Sequence, residues 1–154
     1  MIDIKTDAEE TYQALKEDLK KYPALICTTK PCALKIVLSG NRPLKTMVGE
    51  GFRGIALDGR PGDLGQGFDK EMMPVISDHY KNWSSWRGEK PPRSNELSRI
   101  QTLANRVHAE GKKLRLWAIP DNEVTWEALL LAGVDYINTD HLEELNAFLT
   151  NRGR

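Results

Sequence analysis

The sequence predicts an α/β fold built on a parallel sheet, and two observations carry that prediction. Strand-like and helix-like patterns alternate from one end of the 154 residues to the other. Such alternation implies parallel strands joined by right-handed crossovers. No Pro/Gly/Ser-rich linker and no shift of composition divides the chain, so one domain over residues 1–154 is expected. A chain of this length buries about 68–70% of its unfolded surface, enough for one core.

Ile2-Asp3-Ile4-Lys5 alternates apolar and polar residues as a strand does. Thr6-Asp7-Ala8-Glu9 reads as a capping box opening a helix. Ala8, Tyr12, Leu15 and Leu19 form its apolar stripe, and Tyr22-Pro23 ends it. A second strand is expected over Leu34 to Leu38, closed by Ser39-Gly40-Asn41-Arg42-Pro43, with Pro43 placed to start a short helix. Gly54 to Leu57 is the third strand, followed by Asp58-Gly59-Arg60-Pro61-Gly62. The stretch from Glu71 to Trp86 reads as helical around Met72 to Tyr80, and a Gly/Pro-rich loop follows over residues 87–93. Asn95 to Glu110 is a helix with Leu97, Ile100, Leu103, Ala104 and Val107 on one face, Ser94 as N-cap and Gly111 at its stop. Leu114 to Ile119 is the fourth strand. The next helix starts at Asn122, runs through Trp126 and Leu131, and stops at Gly133. Val134 to Asn138 is the fifth strand. Asp140-His141-Leu142-Glu143 caps a last helix striped by Leu142, Leu145 and Phe148 or Leu149.

The 22 Lys and Arg residues equal the 22 Asp and Glu residues, so net charge offers no electrostatic reason to expect nucleic acid or an anionic membrane as partner. No apolar run approaches the ~20 residues of a membrane span. The opening MIDIKTDAEE lacks the basic and apolar regions of a signal peptide. Cys27 and Cys32 lie in CTTKPC without further zinc ligands at workable spacing. A loop disulfide and two thiols are both open readings there, which leaves the compartment open too.

The chemistry-bearing residues gather where strands end. Asp3 and Lys5 are two apart on a strand and therefore point to one side. A carboxylate suits Mg²⁺ or Ca²⁺, and an ammonium steadies a phosphoryl oxygen; a solvated strand end is the alternative. Arg42 offers a planar fork for phosphate, while Ser39, Gly40 and Asn41 are also ordinary turn residues. Asp58 and Arg60 either line the strand ends or pair with each other. Trp117 is either a core residue or an aromatic wall for a substrate. Tyr80, Trp83 and Trp86 precede Arg87, Lys90 and Arg93, an arrangement open to lipid contact or to helix packing. Asp140 reads as the N-cap of the last helix. Neither GxGxxG nor GxxxxGK[ST] is present, and no G-x-S-x-G elbow occurs. His79, His108 and His141 lack metal-ligand spacing and read as structural or exposed.

Five strings taken in order, IDIK, SGNR, DGRPGDL, LWAIPDN and INTD, resemble the phospholipase C-like phosphodiesterases. The helix-like MMPVISDHYKNW fits a branch of that group, and LRLWAIPDNEVTWEALLLAGVDYINTDHL is similar to the final two units of glycerophosphodiester phosphodiesterases. The resemblance implies a (β/α)8 TIM barrel, a divalent cation (Ca²⁺ or Mg²⁺), and hydrolysis or transfer at a phosphodiester. It makes Asp3 a metal ligand, Lys5 the catalytic cation, Asn41, Arg42 and Arg60 phosphate-side donors, and Trp117 a substrate-facing aromatic. A full barrel takes about 250 residues, and the chain opens at what resembles the fourth strand, so a partial barrel of about five parallel β/α units is expected. The family's early histidines and E-x-D pair have no counterpart, since no histidine precedes His79.

The expected function is a phosphoric diester hydrolase-type domain, acting on a small phosphodiester or a lipid head group and weak or inactive alone. Relatives are often secreted or periplasmic. Two alternatives stand beside it. One is a non-enzymatic half-barrel fragment that forms a homodimer or domain-swapped assembly. The other is a small doubly wound domain binding a phosphorylated ligand.

Overall fold

The computed structural model describes residues 1–24, 34–51, 54–93 and 95–153. The CTTKPC segment with Cys27 and Cys32, and the expected cap Ser94, lie outside the described residues. The strands are Ile2–Ile4 (β1), Ile36–Gly40 (β2), Ile55–Gly59 (β3), Val75–His79 (β4), Lys113–Trp117 (β5) and Tyr136–Ile137 (β6). The helices are Ala8–Leu19 (α1), Leu44–Glu50 (α2), Ser98–Ala109 (α3), Glu123–Leu131 (α4) and Leu142–Arg152 (α5). The strands are ordered in the sheet as they are in the chain, β1 to β6. That sequential order is the topology of a β/α barrel, without the reversal that marks a doubly wound sheet. The fold is a partial α/β barrel with six strands among the described residues. By packing, the chain divides into two compact units, residues 1–59 with 65–75 and residues 60–64 with 76–154.

In the first unit β1 pairs parallel with β2, setting Asp3 opposite Ser39, and β2 pairs parallel with β3, setting Leu38 opposite Leu57. Side chains alternate along a strand. Ile4, Leu38 and Leu57 therefore share one face, where they are 3%, 0% and 0% exposed. Asp3, Ser39 and Asp58 share the other. Tyr12 of α1 and Met47 of α2 are buried with the apolar set. The Tyr12 hydroxyl donates to Glu50 at 2.9 Å, and the Lys16 ammonium to the same carboxylate at 2.7 Å, tying α1 to the end of α2. The cap of α1 is Asp7, which accepts from the Glu10 N–H at 2.9 Å. Thr6, expected there, pairs its hydroxyl with that of Thr11 instead.

In the second unit β5 pairs parallel with β6, Arg115 opposite Tyr136. Ile100, Leu103, Ala104 and Val107 bury the expected face of α3. That helix starts at Ser98, later than expected, because residues 95–97 form a turn held by the Ser98 hydroxyl on the Asn95 carbonyl at 2.9 Å. Asn122 caps α4 as expected, accepting from the Thr125 N–H at 3.0 Å. The last helix is capped by His141, not Asp140. Leu142 is 73% exposed and lies off the buried stripe that Leu145 anchors.

The largest departure is at residues 71–86, which the sequence predicts as helix. Val75–His79 is instead β4, and only Tyr80–Asn82 make a single 3-10 turn. Pro74 supplies no N–H to a helix, and Val75 and Ile76 are β-branched residues suited to a strand. Apolar residues at 72, 73, 75 and 76 satisfy helical spacing, but a short apolar run fits a buried strand equally well. Among the described residues no helix is long and apolar enough to cross a membrane.

Candidate functional site

The chemistry-bearing side chains of the first unit stand where β1, β2 and β3 end. At the end of β2, Gly40 has φ +72°, and a Cβ built there would lie 2.2 Å from an Asp3 carboxylate oxygen and 2.3 Å from the Ile4 carbonyl. Only glycine lets β1 and the Asp3 carboxylate lie so close. Asp3 and Lys5 point to one side, as expected, and pair at 2.6 Å, with Lys5 79% and Asp3 48% exposed. Beside them in the register, the Ser39 hydroxyl donates to the fully buried Asp58 carboxylate at 2.6 Å.

Asn41 and Arg42 both reach backbone. The Asn41 N–H donates to the Ile4 carbonyl at 2.9 Å, and its side-chain amide to the Thr6 carbonyl at 2.8 Å. The Arg42 guanidinium donates to the Asp58 carbonyl at 2.9 Å. These two side chains therefore clip neighbouring strand ends together. A divalent cation asks for several oxygen ligands. Among the described residues no three His, Cys, Asp or Glu side chains gather to supply them, and Asp3 is already paired with Lys5. The described side chains do not by themselves fit such an ion.

In the second unit, Arg60 opens the 3-10 turn Pro61–Asp63, its backbone N–H donating to Asp63 at 2.7 Å. Farther on, the ends of β4 and β5 bring His79 and Trp117 together, ring centroids 4.3 Å apart at 61°. Trp117 is 40% exposed and so is not a core residue. His79 Nδ1 accepts from the Lys81 N–H at 3.1 Å, so the neutral ring carries its proton on Nε2. Asp78 accepts from the Asn82 amide at 2.9 Å and the Trp83 indole at 2.8 Å, fixing the turn that follows. Arg115 donates to the Asn138 side chain across β5 and β6.

Asp121, just beyond β5, takes the Trp126 indole N–H at 2.8 Å, the Thr139 hydroxyl at 2.9 Å and the Asp140 N–H at 2.8 Å. Partial burial works against its charge, but those three donors and the nearby His141 outweigh it and hold its pKa below the ordinary carboxylate value. A depressed carboxylate pKa adds stability above the unfolded value of about 4, and that stability is lost as pH falls through the folded pKa. Asp121→Asn is therefore expected to lower the melting temperature near pH 7. Its gap to the parent should close as pH drops below about 4. A gap that held or widened in acid would show that the charge contributes nothing.

The sequence reads His79 as structural or exposed; its place at a strand end was hidden because its segment reads as helix. Asp121 sits in a Pro-Asp-Asn turn, where a carboxylate is unremarkable until residues 139 and 140 are brought to it.

Residues 113–143, from β5 through α4 and β6 into α5, match the family model of the glycerophosphoryl diester phosphodiesterase family. The matched stretch contains Trp117 and Asp121 but neither Asp3 nor Lys5. No curated protein and no solved structure matches the chain.

Proposed function

We propose that this chain, similar over residues 113–143 to the glycerophosphoryl diester phosphodiesterase family, is a phosphoric diester hydrolase-type domain whose substrate is a glycerol-linked or phospholipid head-group phosphodiester. The observation that carries the reading is the Asp3–Lys5 pair at the C-terminal end of a parallel strand, the end at which β/α barrels do their chemistry. In hydrolysis a water oxygen bonds to phosphorus, the P–O bond to the leaving alcohol breaks, and that alcohol takes a proton. Charge on the non-bridging oxygens grows on the way. The Lys5 ammonium stabilises it, and Asp3, 2.6 Å away, holds the ammonium at the strand end. Arg42 and Asn41, of the same unit, are the proposed phosphate-side donors.

Since the described side chains do not fit Ca²⁺ or Mg²⁺, the proposed step runs through Lys5 and not through a metal ion. The first unit contains no histidine, so it offers no imidazole for the proton transfers, and the chain alone is proposed to be slow. The test is release of alcohol from a generic phosphodiester with added Ca²⁺ or Mg²⁺. Slow turnover is expected, lowered about 100-fold by Lys5→Ala and unchanged by Lys20→Ala at the exposed residue that follows α1. Equal rates for Lys5→Ala and the parent would defeat the reading.

A further inference from the structure

Helix α4, in the second unit, is apolar on both sides. Six of its nine residues are Val, Trp, Ala or Leu. Trp126 and Leu129 are 2% and 0% exposed. Val124, Ala128 and Leu131 recur at i, i+4 and i+7, one stripe of a helix, and at about 3.6 residues per turn that stripe lies opposite Trp126 and Leu129. Within it Ala128 is buried, but Val124 is 38% and Leu131 68% exposed. A helix apolar all round is ordinarily covered all round, and here one side is covered. The uncovered stripe is one wall of a groove of about 550 Å³, to which Pro91, Pro92 and Leu97 before α3 contribute the facing wall. A lone exposed leucine is ordinary. A contiguous apolar patch with a polar rim marks a surface that meets another.

Charge says what meets it. Arg93 on the loop and Glu127 on α4 both line the groove. They make no ion pair with each other, since Glu127 takes Arg152 of α5 at 2.7 Å and 3.1 Å. Each carboxylate oxygen keeps a further lone pair for a second donor. A surface with one cation and one anion beside an apolar stripe is complementary to itself. A two-fold axis pairs residue i of one copy with j of the other, and j with i. Two α4 helices laid antiparallel across such an axis set Val124 against Leu131 of the second copy. Ala128 then lies at the crossing, where a small side chain lets the helices approach. Arg93 of each copy faces Glu127 of the other, a pairing that suits the planar guanidinium. We infer that this groove is the contact surface of a two-fold dimer of this chain, Leu131 of each copy filling the groove of the other. The inference concerns a helical face and rests neither on the role given to Lys5 nor on any sheet edge.

Sedimentation equilibrium of the whole chain between about 5 and 500 µM, a range suited to weak contacts at the small end of the interface scale, tests it. The mass should rise with concentration toward that of two chains. Leu131→Asp should keep the chain monomeric over that range, and because the side chain is 68% exposed its circular dichroism should match the parent. Leu142→Asp on α5, where the leucine is 73% exposed, should dimerise as the parent does. Arg93→Glu and Glu127→Lys should each weaken self-association at least about tenfold by setting like charges across the axis. An equimolar mixture of those two should recover it, since each charge then meets its opposite. A parent that stays monomeric throughout would overturn the inference. So would a dimer that survives Leu131→Asp, as one built on sheet edges or exchanged segments would. Loss of the dimer in Leu142→Asp, or a mixture no better associated than its components, would overturn it as well.

Discussion

Trp126→Ala is expected to destabilise the protein by about 3–5 kcal/mol, the range for truncating a buried Trp. The indole is 2% exposed, and its ring lies 5.7 Å from that of Phe148 at a tilt of 58°, so it joins α4 to α5. Its N–H is one of the three donors on Asp121, and truncation leaves that carboxylate with the two from residues 139 and 140. Domains are stable by only about 5–15 kcal/mol, so the change removes at least about a fifth of that stability. Trp126→Phe keeps most of the apolar volume and loses the donor, which should cost about 1–3 kcal/mol. Urea unfolding followed by circular dichroism separates the two. A midpoint for the alanine variant near that of the parent would mean the ring is not a centre of packing.

Gly40→Ala is expected to dislodge β1. The left-handed backbone alone costs an alanine about 1–2 kcal/mol. The larger effect is steric, because the methyl meets the Ile4 carbonyl at 2.3 Å and backbone cannot rotate aside as a side chain does. The three-residue strand then loses its register with β2, and the Asn41 N–H loses its acceptor on Ile4. Hydrogen exchange at Asn41 should accelerate while the amides of α3 keep their protection. Phosphodiester turnover should fall to the level of Lys5→Ala. Unchanged exchange at Asn41 would show that the strand end tolerates a side chain.

Much of the architecture is written in local pattern. The buried face of α3 and the Asn122 cap of α4 follow from helical spacing and from one side chain meeting a nearby N–H, interactions that span a few residues. Asp3 and Lys5 share a side because strands alternate. What could not be read depends on chain segments meeting at a distance. Asn41 finds Thr6 across 35 residues and Arg42 finds Asp58 across 16, so two side chains suited to phosphate emerge as braces on backbone carbonyls. β4 was missed for a different reason: its apolar run is too short for periodicity to decide, and the β-branched pair after Pro74 was the better guide. With β4 read as helix, His79 had no strand end and its edge-on contact with Trp117 had no basis.

The brace formed by Arg42 has a thermodynamic corollary. Its guanidinium carries five N–H donors, and the bond to Asp58 uses one end of the fork to hold the terminus of β3. An anion engaging that fork must either share it with the carbonyl or draw it away. Occupancy and local order at β3 are consequently two readouts of one equilibrium, because whatever binds one arrangement more tightly shifts the population toward it.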